Sequence, residues 1–162
     1  LVLRLKKLGL NVALDTSGAA LRAALKAGPW LIKPNTEELA DALGCEVISV
    51  AAQAAAASRL HAQGIEHVVI SHGADGVNWF SVGTALHATP PKVSVASTVG
   101  AGDSLLAGML HGLLSADTPQ QTLRSATAIA AMAVTQIGYG IGDATQLAQL
   151  EQGVRVRPLT EQ

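Results

Sequence analysis

The chain has 162 residues, 49% of them apolar and 14% charged, with a formal net charge of −1. That length and composition permit a globular domain with a real core and exclude a disordered chain, and the near-neutral charge without a basic cluster gives nucleic acid nothing to bind. No apolar run approaches the roughly 18–20 residues that cross a bilayer, and the single cysteine, Cys45, permits no internal disulfide and suits a reducing compartment, so no membrane partner and a cytoplasmic location are expected.

Leu1, Leu5 and Leu8, interspersed with Arg4, Lys6 and Lys7, predict an amphipathic helix that closes at Gly9. The chain opens inside this pattern without a cap, as a fragment cut within an element would. Asn11 to Leu14 is a short apolar run and predicts a buried strand, followed by the polar turn Asp15-Thr16-Ser17-Gly18 and a helix from Ala19 to Ala27. Ligands of open α/β sheets gather at the carboxyl ends of strands, so Asp15, Thr16 and Ser17 stand beside a candidate site or simply cap the helix. Trp30-Leu31-Ile32 predicts the second strand. Beyond it Pro34 biases Lys33 away from helix, and Asn35 with Glu38 three residues on has the form of a capping box.

Ser49 to Gln63 predicts an alanine-rich helix capped by Ser49 and closed by Gly64. His67 to Ser71 is the next strand, and Gly73 and Gly76 in the following turn permit positive φ or close backbone approach. Val77 to Phe80 and Thr84 to Ala88 alternate about Gly83 as a β-hairpin. Val93 to Val99 is rich in valine and predicts a strand that feeds the stretch Ser97-Thr98-Val99-Gly100-Ala101-Gly102-Asp103-Ser104, with helix from Asp103 onward. Such a turn points the N–H groups of Gly100, Ala101 and Gly102 off the helix end, where the macrodipole also favours an anion such as phosphate.

It is neither of the two commoner phosphate loops: no lysine follows the glycines, and Leu105 stands where a dinucleotide fingerprint needs a small residue. Asp103 either caps the helix or accepts a proton from a hydroxyl attacking a phosphoryl group. Downstream, Thr118-Pro119 opens an alanine-rich helix through Leu123 to Ile137. The turn Gly138 to Gly142 looks superficially like a nucleotide fingerprint but lacks a preceding strand, and Asp143 to Gln149 and Val154 to Val156 predict a last helix and a closing strand. Strands alternating with helices predict an α/β fold, a mostly parallel sheet flanked by helices with a local β-hairpin.

Thr98-Val99-Gly100-Ala101-Gly102-Asp103 resembles the GAGD motif of the ribokinase-like (PfkB-type) carbohydrate kinases. The resemblance extends over essentially the whole sequence and implies residues 1–162 to be the C-terminal, nucleotide-binding and catalytic portion of a single ribokinase-like domain, with an N-terminal half and a β-sheet lid lying outside it. It implies that Gly100, Ala101 and Gly102 form an anion hole for the transferred phosphoryl group and that Asp103 is the catalytic base at the sugar. Asn35 and Glu38 match the family's Asn-x-x-Glu motif, which holds Mg²⁺ through water near the phosphates of ATP, and Lys33 precedes that motif as a point charge. Ser71, Gly73 and Gly76 match a Ser/Thr-x-Gly-x-x-Gly stretch that contacts ATP, with His72 where leucine is usual.

The helix after Thr118 would help wall the adenine site. The blocks Val12 to Gly18, Pro29 to Asn35 and Ser97 to Ser104 are most similar to members that phosphorylate fructose 1-phosphate at O6 to fructose 1,6-bisphosphate. Close relatives act on tagatose 6-phosphate or fructose 6-phosphate. The same resemblance implies a sugar phosphate as partner and a homodimer for the full-length protein. A nucleotide-binding or regulatory module that uses the anion hole without catalysis is the alternative of another class.

Overall fold

The computed structural model describes residues 1–138 and 140–159. Two compact units emerge: the first holds residues 1–72 and 78–85 with Leu159, and the second holds Gly73–Val77 and Leu86–Pro158. Strands follow one another across the sheet in chain order, β1 (Ala13–Leu14), β2 (Leu31–Ile32), β3 (His67–Ser71), β4 (Val77–Ser81), β5 (Thr84–Thr89) and β6 (Arg155–Pro158). β1, β2 and β3 run parallel, whereas β5 and β6 pair antiparallel. The α/β architecture with a local hairpin is therefore as the sequence predicts.

In the first unit, α1 (Val2–Lys7), α2 (Gly18–Leu25), α3 (Thr36–Leu43) and α4 (Val50–His61) accompany the parallel strands. Leu21, Leu39, Leu60, Ile32, Val68 and Ile70 are almost wholly buried in one cluster. Leu1, Leu3 and Leu8 are exposed, and α1 buries none of its residues. The strand expected over Asn11 to Leu14 is confined to Ala13–Leu14 and is half-buried. A buried Gln53 ties α4 to its surroundings, accepting from Asn78 Nδ2 at 2.7 Å and donating to the Val47 carbonyl at 3.0 Å.

His67 begins β3 edge-on to Trp30, with ring centroids 4.9 Å apart, and lies 5.7 Å from Trp79. Among the described residues its Nδ1 is buried without a hydrogen-bond partner. Desolvation therefore holds its pKa below the ordinary 6.5; the Glu66 carboxylate opposes the shift and His61 adds to it. A histidine depressed in the folded state binds fewer protons there than in the unfolded chain. Its contribution to stability is present above the unfolded value and is lost as pH falls through the folded one. Lowering pH from about 8 to about 5 is expected to reduce the unfolding midpoint, and His67→Gln is expected to flatten part of that fall in thermal melts.

The second unit is built on α5 (Ala101–Leu114) and α6 (Pro119–Val134), which pack along one another, with α7 (Ala144–Gly153) against α6. Gly108 makes the close approach possible: a Cβ there would lie 2.5 Å from the Ala126 Cα. Thr118 caps α6 through the Gln121 N–H at 3.2 Å, and Asp143 caps α7.

The strand expected over Val93 to Val99 does not form. Pro90 and Pro91 precede it, and the N–H groups of Ala96 and Ser97 donate to the Val134 carbonyl at the end of α6, at 2.7 and 3.2 Å. A segment whose backbone donors satisfy a helix C-terminus has fewer left for a ladder, and β-propensity yields to that context. Val95 and Val99 are accordingly exposed.

Candidate functional site

α5 starts two residues earlier than the helical pattern from Asp103 suggests. Gly100 is its N-cap, with φ 82°, a left-handed conformation that glycine adopts without strain. The first intrahelical bond runs from the Ser104 N–H to the Gly100 carbonyl at 2.9 Å, and the Ala101 N–H closes the turn on the Thr98 carbonyl at 3.4 Å. Ala101 thus uses its donor within the turn, in place of the free N–H expected from sequence. Among the described residues the N–H groups of Gly100, Gly102 and Asp103 have no backbone acceptor. Free donors at the positive end of a helix make an anion site.

Asp103 is exposed, and no side chain caps α5. Among the described residues the Asp103 carboxylate makes no hydrogen bond to a backbone N–H of α5. A cavity of about 500 Å³ opens beside it, within the size range of small-molecule sites. One wall is a single face of α5, where Asp103, Ala107 and His111 follow at helical spacing, and Ile129, Met132 and Ala133 of α6 line it as well. Gly138, Gly140 and Ile141 also line it, a turn to which the sequence assigned no role; Tyr139 lies outside the described residues. His111 and Gln136 carried no signal either, because only the packing of α5 along α6 brings them to the cavity.

The carboxyl ends of the parallel strands in the first unit gather a second set. The Lys33 ammonium, on a side chain only 7% exposed, pairs with Asp15 Oδ2 at 3.0 Å. The ammonium is thus engaged by a carboxylate. Asn35 bridges to Ser71 in parallel register, and the Ser71 N–H donates to the Pro34 carbonyl at 3.1 Å. Two sequence motifs are thereby brought side by side.

Asn35 and Glu38 form a complete capping box: the Glu38 N–H donates to Asn35 Oδ1 at 2.8 Å and the Asn35 N–H to Glu38 Oε2 at 2.9 Å. Among the described residues no three acidic, histidine or cysteine side chains gather as a direct metal cage. The Glu38 Oε1 stays outside the box and is an acceptor suited to the water shell of Mg²⁺, which sheds its waters reluctantly. Asn35→Ala is expected to cost about 1 kcal/mol through the lost cap, visible as a lower melting temperature without any added metal.

Ser71 ends β3; Gly73, with φ 58°, begins the short 3₁₀ turn Gly73–Asp75 that opens the second unit, and Gly76, with φ 110°, follows it. Both glycines take the positive φ expected of them.

Residues 4–146 match the model of the pfkB family of carbohydrate kinases. The chain is 46% identical over 158 residues to 1-phosphofructokinase of Vibrio cholerae, covering 98% of this chain and 50% of that protein. It is 46% identical over 147 residues to 1-phosphofructokinase of Escherichia coli K12, covering 91% and 47%. The chain spans about half the length of the curated relatives it matches. Among solved structures, phosphofructokinase-2 from Escherichia coli in complex with substrates and products superposes with a TM-score of 0.84 at 27% identity, over 93% of this chain and 50% of that one. Arabidopsis thaliana ribokinase complexed with ribose and ATP shares the fold, with a TM-score of 0.78 at 24% identity over 93% and 50%.

Proposed function

Because the chain belongs to the pfkB family of carbohydrate kinases, we propose that it supplies the nucleotide-binding and phosphoryl-transfer portion of a kinase that converts fructose 1-phosphate and ATP to fructose 1,6-bisphosphate and ADP. The observation that carries this reading is the Gly100 turn: N–H donors without a backbone acceptor at a helix N-terminus, beside an exposed carboxylate that lines a cavity. A site that only binds phosphate has no use for that carboxylate, which repels anions.

On this reading Asp103 accepts the proton of the sugar O6 hydroxyl as the oxygen attacks the γ-phosphorus and the bond to ADP breaks. The N–H groups of Gly100, Gly102 and Asp103, with Ala101 closing the turn between them, stabilise the charge on the transferring phosphoryl oxygens. Lys33, Asn35, Ser71, Gly73 and Gly76 are the residues assigned to ATP. Asn35 and Glu38 would hold Mg²⁺ through water, and the ion would supply positive charge to offset that of the nucleotide phosphates. The apolar wall of α6 receives the adenine. The full-length enzyme acts as a homodimer in the cytoplasm.

The test is ADP release by the full-length enzyme with fructose 1-phosphate, fructose 6-phosphate and tagatose 6-phosphate, each with Mg²⁺ and with EDTA. Magnesium-dependent turnover strongest with fructose 1-phosphate is expected. Turnover strongest with one of the other sugars replaces the substrate and keeps the mechanism, and turnover with none contradicts the kinase reading in favour of a binding module.

A further inference from the structure

The Lys33 ammonium lies on a flexible four-carbon stem that is almost fully buried, and it meets Asp15 at 3.0 Å. The two residues sit at the ends of neighbouring parallel strands, whose register is fixed beside them by the Lys33 N–H donating to the Leu14 carbonyl at 3.2 Å. Asp15 opens the polar turn before α2, but Ser17 is the N-cap of that helix and no side chain caps it. Asp15 is therefore not spent on α2. Its recorded ion-pair partner is the lysine, and its side chain remains 29% exposed at the sheet end where Asn35 and Ser71 also meet.

We propose that Asp15 is a positioning residue for nucleotide binding: it holds the Lys33 ammonium in one place and one orientation at the strand ends. This rests on the reading that Lys33 serves the ATP phosphates. A lysine ammonium has three donors, so one can stay on Asp15 while the others face an incoming phosphate. A flexible ammonium fixed in advance loses less entropy when the anion arrives. The charge of Asp15 by itself opposes a phosphate, so its removal weakens binding only if it acts through Lys33.

The experiment is a double-mutant cycle on the full-length enzyme, with ATP affinity read by calorimetry in Mg²⁺ and again in EDTA, and kcat and KM read separately. Lys33→Met is expected to weaken ATP about 10-fold or more, the scale of one charge-assisted hydrogen bond. Asp15→Asn is expected to weaken it roughly 5-fold in both media, with a larger change in KM than in kcat. Adding Asp15→Asn to Lys33→Met is expected to cost nothing further. That double variant removes both charges together and avoids an unpaired buried ammonium, so it also serves if Asp15→Asn alone does not fold. In that case a double variant weaker than Lys33→Met overturns the proposal, and one equal to it supports it.

Unchanged affinity in Asp15→Asn, additive losses, or a loss confined to Mg²⁺ each overturn the proposal while leaving the kinase reading intact. A wild-type enzyme that binds no ATP in either medium overturns both.

Discussion

Asp103→Ala in the full-length enzyme is expected to lower kcat by about 10² to 10⁴-fold, the range of a lost general base. The same substitution is expected to shift folding stability little. Asp103 makes no capping hydrogen bond in α5, so what remains is its attraction to the helix dipole, about 0.3–1 kcal/mol. The two readouts therefore separate: a large kinetic loss with a nearly unchanged melting temperature identifies a carboxylate used in chemistry. A kcat within a few-fold of wild type, with a clear loss of stability, makes it a structural residue of the helix.

Gly76→Ala is expected to have the largest effect on the fold. Gly76 has φ 110°, and a Cβ placed on it would lie 2.0 Å from the Ala88 carbonyl oxygen in β5. A side chain there is strained by the backbone conformation and also overlaps a backbone atom that cannot rotate away. Together these cost about 2–5 kcal/mol, a drop of roughly 5–15 °C in melting temperature. Gly100 provides the contrast within the same second unit. Its φ is 82°, but among the described residues nothing lies within 4 Å of the position a Cβ would take. Gly100→Ala is therefore expected to cost only about 1 kcal/mol from the left-handed backbone while disturbing the turn that presents the Gly102 and Asp103 donors. One glycine of the predicted nucleotide site is thus demanded by packing, and the other by the shape of a turn.

Elements with strong local chemistry were legible in the sequence. The Asn35/Glu38 capping box, the Ser49 and Thr118 caps and the strand His67–Ser71 all form as their residues predict. Each depends on side chains a few residues apart, so spacing alone carries the information. Val93 to Val99 was misleading because valine content reports a preference for a pleated, half-buried surface, and the backbone there bonds instead to the end of α6.

The candidate site was half legible. The glycine turn announced itself, but which N–H groups stay free depends on the 3.4 Å bond from Ala101 to Thr98, which residue types do not reveal. His111, Gln136 and Ile141 reach the cavity only through the packing of α5 along α6. The Lys33–Asp15 pair joins residues of separate strands and needs the parallel register of β1 and β2 to form.

The most direct test of the account compares wild type and Asp103→Asn in the full-length enzyme, measuring ATP binding and sugar-phosphate-dependent ADP release in the same preparations. Asparagine keeps the shape and removes the negative charge and the proton-accepting oxygen. ATP binding as strong as in wild type or stronger is expected, because a negative charge beside the phosphate is gone, together with turnover reduced by about 100-fold or more. Equal turnover in the two proteins, or no turnover in wild type with ATP still bound, would contradict Asp103 as the base that drives phosphoryl transfer.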